Sequence, residues 1–84
     1  MLNAKQLARL RREPTAPNRV KAAMRLAGAT QLDVAAGTGI TQSQISKIAA
    51  RPGRVSLSTA LRLSGYFGCD AADLFPNDAV QGAA

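Results

Sequence analysis

Apolar residues recur along this chain in short runs of helical spacing rather than in alternation, and most runs are bracketed by residues suited to start or stop a helix. Val20, Ala23, Met24 and Ala27 stand at i, i+3, i+4 and i+7. Pro17 suits a first helical position, where its missing N–H is no loss, and Gly28 suits a left-handed stop, so a helix is predicted over about 17–27. Thr30-Gln31-Leu32-Asp33 then sets a hydroxyl three residues ahead of a carboxylate, a pairing that satisfies two exposed amides at a helix start. Thr41-Gln42-Ser43-Gln44 repeats the device with an amide, and Ile45 and Ile48 give that helix its apolar face as far as about Ala50. Pro52-Gly53 breaks the chain. Ser56 caps a further helix through about Phe67, with Leu57, Ala60, Leu61, Ser64 and Phe67 read as its inward side and Gly68 closing it. A last turn or two spans Asp70 to Phe75.

The two ends of the chain are less marked. Residues 3–12 are good helix formers behind a possible Asn3 cap, but only Leu7 and Leu10 are apolar, which fits either a short basic helix or a frayed arm. Asn77–Ala84 is small and polar and is expected to be disordered. No strand pattern stands out, so the class expected is all-α. The division expected is a basic N-terminal segment over 1–16, one domain over 17–76 and a tail over 77–84.

Gln31 to Ala50 is the informative stretch, because two short capped helices are joined there by a few residues that include glycine. This is the helix-turn-helix pattern. It requires a small side chain where the helices meet, met by Ala35, and a residue tolerant of positive φ in the turn, met by Gly39. It also requires inward apolar residues to fix the crossing angle, met by Val34, Ile40, Ile45 and Ile48. An ordinary helical hairpin is the plainer alternative.

Charge sharpens the picture. In 84 residues, 11 Lys and Arg against 5 Asp and Glu give +6, which suits a polyanionic partner. Seven of the basic residues precede residue 26 and three of the acids follow residue 69, so one end should attract phosphate and the other should not. With no histidine and a single cysteine, Cys69, the usual zinc ligand sets are missing, and no cofactor is expected. Cys69 reads as a small buried hydrophobe, with a redox sensor as the alternative. Scattered acids and no nucleophile or phosphate-cradling motif argue against an enzyme. No stretch approaches the ~20 apolar residues of a membrane span, and the cytoplasm is the expected location.

The run from Thr30 to Ile48 resembles the core motif of the Cro/phage-repressor (XRE-type) helix-turn-helix proteins, and the likeness extends from about Asn18 to Phe75. It implies a compact five-helix repressor-like domain, here with an extra basic N-terminal helix or arm. It also implies a helix in the major groove of operator DNA and a homodimer on a two-fold site. The chain departs from the pattern after that helix, where Ala49-Ala50-Arg51 replaces the Glu-x-Gly of many members.

On this reading the base-contacting candidates are Gln42, Ser43, Ser46 and Lys47, near the start of the recognition helix. Gln42 can donate and accept at once, which suits adenine N6 and N7. Gln44 can instead be held in its capping box. Gln31 opens the helix that crosses the backbone, where the resemblance implies that it binds phosphate and braces Gln42. Arg19, Arg51 and Arg54 are the further phosphate candidates, with a solvated surface charge as the alternative for each. Arg9, Arg11 and Arg12 either extend the footprint along phosphates or into a minor groove, or accompany Leu7 and Leu10 onto the domain or a partner. Two other functions compete: an antitoxin-type protein that also binds a protein partner through its N-terminal segment or tail, and a basic helix lying on anionic membranes through Asn3–Arg12.

Overall fold

A computed structural model of the chain describes residues 1–51, 53–75 and 80–81. Six helices run in chain order: α1 (Ala4–Leu10), α2 (Val20–Ala27), α3 (Gln31–Thr38), α4 (Gln42–Ala50), α5 (Leu57–Phe67) and α6 (Ala71–Leu74). Two short strands, β1 (Val55–Ser56) and β2 (Val80–Gln81), pair in parallel, Val55 with Val80 and Ser56 with Gln81. Among the described residues the architecture is thus all-α apart from this pair.

The predicted caps form. Thr30 Oγ1 accepts from the Asp33 amide at 3.1 Å while the Asp33 carboxylate accepts from the Thr30 amide at 2.9 Å. Thr41 and Gln44 make the same exchange at 3.2 and 3.4 Å, and Ser56 Oγ accepts from the Thr59 amide at 3.1 Å. Each cap satisfies N–H groups that the first turn of a helix cannot bond internally. Between α3 and α4 the chain reverses at Gly39, whose φ of +76° costs a side-chain-bearing residue strain. Gly37 answers a different demand. A Cβ there would lie 2.4 Å from the Tyr66 ring, so its absence lets α5 press closely on α3.

Val34, Ile45, Val20, Leu63, Phe67, Leu74 and Leu10 are the largest fully buried side chains, with Ile40 and Ala49 beside them and Ile48 and Ala35 packed against them half-buried. Burying an aliphatic or aromatic side chain of this size stabilises by roughly 1.5–3 kcal/mol relative to leaving it in water. One inward assignment on α5 is corrected. Leu61 is 55% exposed, and Leu63 lies in the core instead. At roughly 100° per residue the stripe Ala60, Ser64 and Phe67 has Leu63 on its flank and turns Leu61 away from it.

The ends depart most from expectation. Residues 3–10 are a seated helix: Asn3 and Gln6 form a capping box at 2.8 and 2.9 Å, and Gln6 Nε2 donates to the Leu26 carbonyl at 2.8 Å. The Leu2 amide donates to the Phe67 carbonyl at 2.8 Å, and Leu2 and Leu10 enter the same core as α2 to α6. Helix α2 begins at Val20 rather than at Pro17, with Arg19 as its cap residue, and just ahead of it Asn18 Oδ1 accepts from the Val20 amide at 3.0 Å, which turns the chain into the helix. In the tail, Val80 is half-buried against the core cluster and pairs with Val55 where disorder was expected, since an apolar residue finds an open strand edge there. Residues 76–79 and 82–84, on which the rest of the tail expectation falls, lie outside the described residues.

Candidate nucleic-acid interface

Helix α4 turns Ile45 and Ala49 into the core and leaves Gln42, Ser43, Ser46 and Lys47 exposed. The four base-contacting candidates therefore share one uncovered helix. Gln42 occupies its first position, behind the Thr41 cap, so its amide is not drawn into the box that holds Gln44. Gln31 occupies the corresponding first position of α3 and is half-buried.

Cations gather where α4 ends. The backbone becomes extended at Arg51 (φ −122°, ψ 140°), with no glycine needed to stop the helix, and carries the chain toward β1. Lys47 and Arg54 line one groove of about 300 Å³ with Ile40, Gln44 and Thr59. Lys47, Arg51 and Arg54 line a second groove of about 190 Å³ with Asn18 and Ile48. Among the described residues none of these three cations has a carboxylate within ion-pairing distance. A cluster of uncompensated positive charge beside an exposed polar helix can hold phosphates while the helix meets base edges.

Asn18 was not singled out by sequence. Its Nδ2 donates to the Ile48 carbonyl at 2.6 Å, tying the start of α2 to the last turn of α4 while its Oδ1 accepts from the Val20 amide. An Asn two residues ahead of an apolar helical stripe is the one local signal for it, and nothing local points to its bond with α4.

Arg19 is corrected. The structure does not bring it to the Lys47, Arg51 and Arg54 cluster; its guanidinium donates instead to the carbonyls of Arg11 and Glu13, both at 2.9 Å, and reaches that of Asp73 at 3.5 Å. Arg11 pairs with Asp73 through Nε and Nη2, which donate to Oδ1 and Oδ2 at 2.8 and 3.3 Å. The Arg11 guanidinium thereby holds the Asp73 carboxyl below the usual carboxylate range despite its burial. These two arginines clamp the loop after α1 onto α6.

Asp33 and Cys69 are also shifted by their surroundings. The Thr30 amide and then its hydroxyl lower the Asp33 carboxyl, as a cap should. Burial pushes the half-buried Cys69 thiol up to about 11, which leaves almost no thiolate near neutrality and accords with a packing role. Among the described residues no group of His, Cys, Asp or Glu side chains is placed to hold a metal, and no helix is long and apolar enough to cross a membrane.

Two capped helices crossing at a glycine turn, the second one uncovered, define a helix-turn-helix module. A helix-turn-helix family model matches residues 20–74, from the start of α2 to the end of α6, and the chain belongs to that family, in its Cro/phage-repressor (XRE) type. It is accordingly a DNA-binding transcription regulator. No curated protein and no solved structure matches the chain.

Proposed function

We propose that this protein acts in the cytoplasm as a homodimer on a palindromic operator, seats α4 in the major groove, and works as a repressor or controller whose occupancy follows its own concentration. Gln42, Ser43, Ser46 and Lys47 would meet base edges, while Gln31, Arg51 and Arg54 would hold phosphates. The carrying observation is the uncovered α4 with Lys47, Arg51 and Arg54 at its end, none of them paired to a carboxylate among the described residues. Dimerisation and operator symmetry rest on the family resemblance alone, and the reading assigns the chain no catalytic step. An antitoxin-type use of the N-terminal helix has less support, because Leu2 and Leu10 are already spent in the protein's own core.

Selection of bound sites from random duplex tests the whole reading. The expected product is an inverted repeat with half-site centres about one helical turn, ~34 Å, apart. Asymmetric selected sites would remove the dimer from the proposal. Gln42→Ala should relax preference at one base pair per half-site, by about 1–3 kcal/mol of discrimination. Unchanged preference in that variant would strip Gln42 of its role.

A further inference from the structure

The N-terminal segment lies outside the helix-turn-helix match, yet its cations are not isolated from the interface. The groove of Lys47, Arg51 and Arg54 reaches Asn18. Asn18 in turn lines a groove with Lys21 and Arg25, across from Ala49 and Ala50 at the end of α4. Arg25 then lines another groove, of about 240 Å³, with Arg9 and Arg12. Shared lining residues thus connect the three depressions into one course, from the end of α4 along α2 to the end of α1.

We propose that this course is a second phosphate-binding track, by which Arg9, Arg12 and Lys21 engage the backbone of duplex DNA flanking the base-reading footprint. Arg9, Arg12 and Lys21 are exposed and have no carboxylate partner among the described residues. Glu13 is the acid that faces the track; it pairs with Arg25, so Arg25 contributes least. The molecule extends at most 32 Å, about one turn of duplex, which bounds the length of backbone the track can follow.

Duplex DNA is favoured over an anionic membrane because α1 has no apolar face to insert. Leu2 and Leu10 are buried and Leu7 is half-buried against the core, whereas interfacial helices need such residues free. The inference rests on the proposed DNA-binding function, and its test separates the two.

Binding of the full chain is measured against salt on a random-sequence duplex of about 30 base pairs. Wild type is compared with the Arg9→Gln/Arg12→Gln pair and with Lys47→Ala. Each phosphate contact contributes about 0.9 to the slope of log affinity against log salt. The double variant should therefore lower the slope by about 2, with its thermal melt unchanged. Lys47→Ala should lower it by about 1. A double variant indistinguishable from wild type, while Lys47→Ala responds, overturns the track and leaves the DNA-binding function standing. A wild type that shows no salt-dependent binding to the duplex overturns both. Phosphatidylserine vesicles form a second arm. If the double variant loses vesicle binding but keeps the wild-type duplex slope, the track serves a membrane and the proposal is overturned.

Discussion

Arg11 and Arg19 carry the same guanidinium as Arg51 and Arg54, yet the fold uses the two pairs in opposite ways. The first pair is consumed by the protein: Arg11 by the Asp73 carboxylate, Arg19 by backbone carbonyls that the loop after α1 would otherwise leave unpaired. The second pair stands at grooves with no carboxylate in reach among the described residues. A hydrogen bond from a charged donor contributes about 1.5–3 kcal/mol, so an arginine near several carbonyl acceptors is retained by the fold. One at a rim without acceptors stays available to a partner.

The sharpest way to break this comparison is Leu10→Ala. If the first pair anchors an integral segment, deleting a fully buried leucine should cost about 2–5 kcal/mol in denaturant unfolding. A loss below about 0.5 kcal/mol would mean that α1 is a detachable arm and that its arginines anchor nothing.

Arg19→Ala comes next. It removes a charged donor from the carbonyls of Arg11 and Glu13 and should destabilise by about 2–3 kcal/mol while leaving the salt slope of DNA binding unchanged where the variant is folded. A reduced slope with wild-type stability would move Arg19 back among the interface cations. Arg54→Ala should show the reverse, stability within about 0.5 kcal/mol of wild type and a salt slope lower by about 1.

The smallest effect expected is on pH. Asp73 is held below its ordinary range in the folded state, so its contribution is full above the unfolded carboxylate value of about 3.9 and is lost as pH falls through the folded one. Thermal melts taken from pH 6 down to 2 should fall less steeply for Asp73→Asn than for wild type. Asp33 is shifted the same way by its cap, so part of the acid limb should persist. Identical acid limbs would show that the Arg11 pairing adds nothing.

Much of the central domain was legible because its signals are local. Thr30 with Asp33 and Thr41 with Gln44 declare helix starts within four residues, and Gly39 declares a turn by its own backbone freedom. The exposed face of α4 followed from the same spacing. The choice between Leu61 and Leu63 was not local, since both phases of α5 carry enough apolar residues and the partner surface selects one. Nor could charge alone separate Arg19 from Arg51, because carbonyls of residues 11, 13 and 73 had to converge first.

By itself, then, the sequence determined where helices α3 to α5 begin and end and which side of α4 is polar, because caps, left-handed glycines and helical periodicity act over a turn or less. Tertiary structure alone decided that α1 joins the core, that Val80 pairs with Val55, and that Lys47, Arg51 and Arg54 share grooves reaching toward Lys21 and Arg12. Those outcomes depend on contacts between residues dozens of positions apart, whose energies exist only once the chain has closed around a common core.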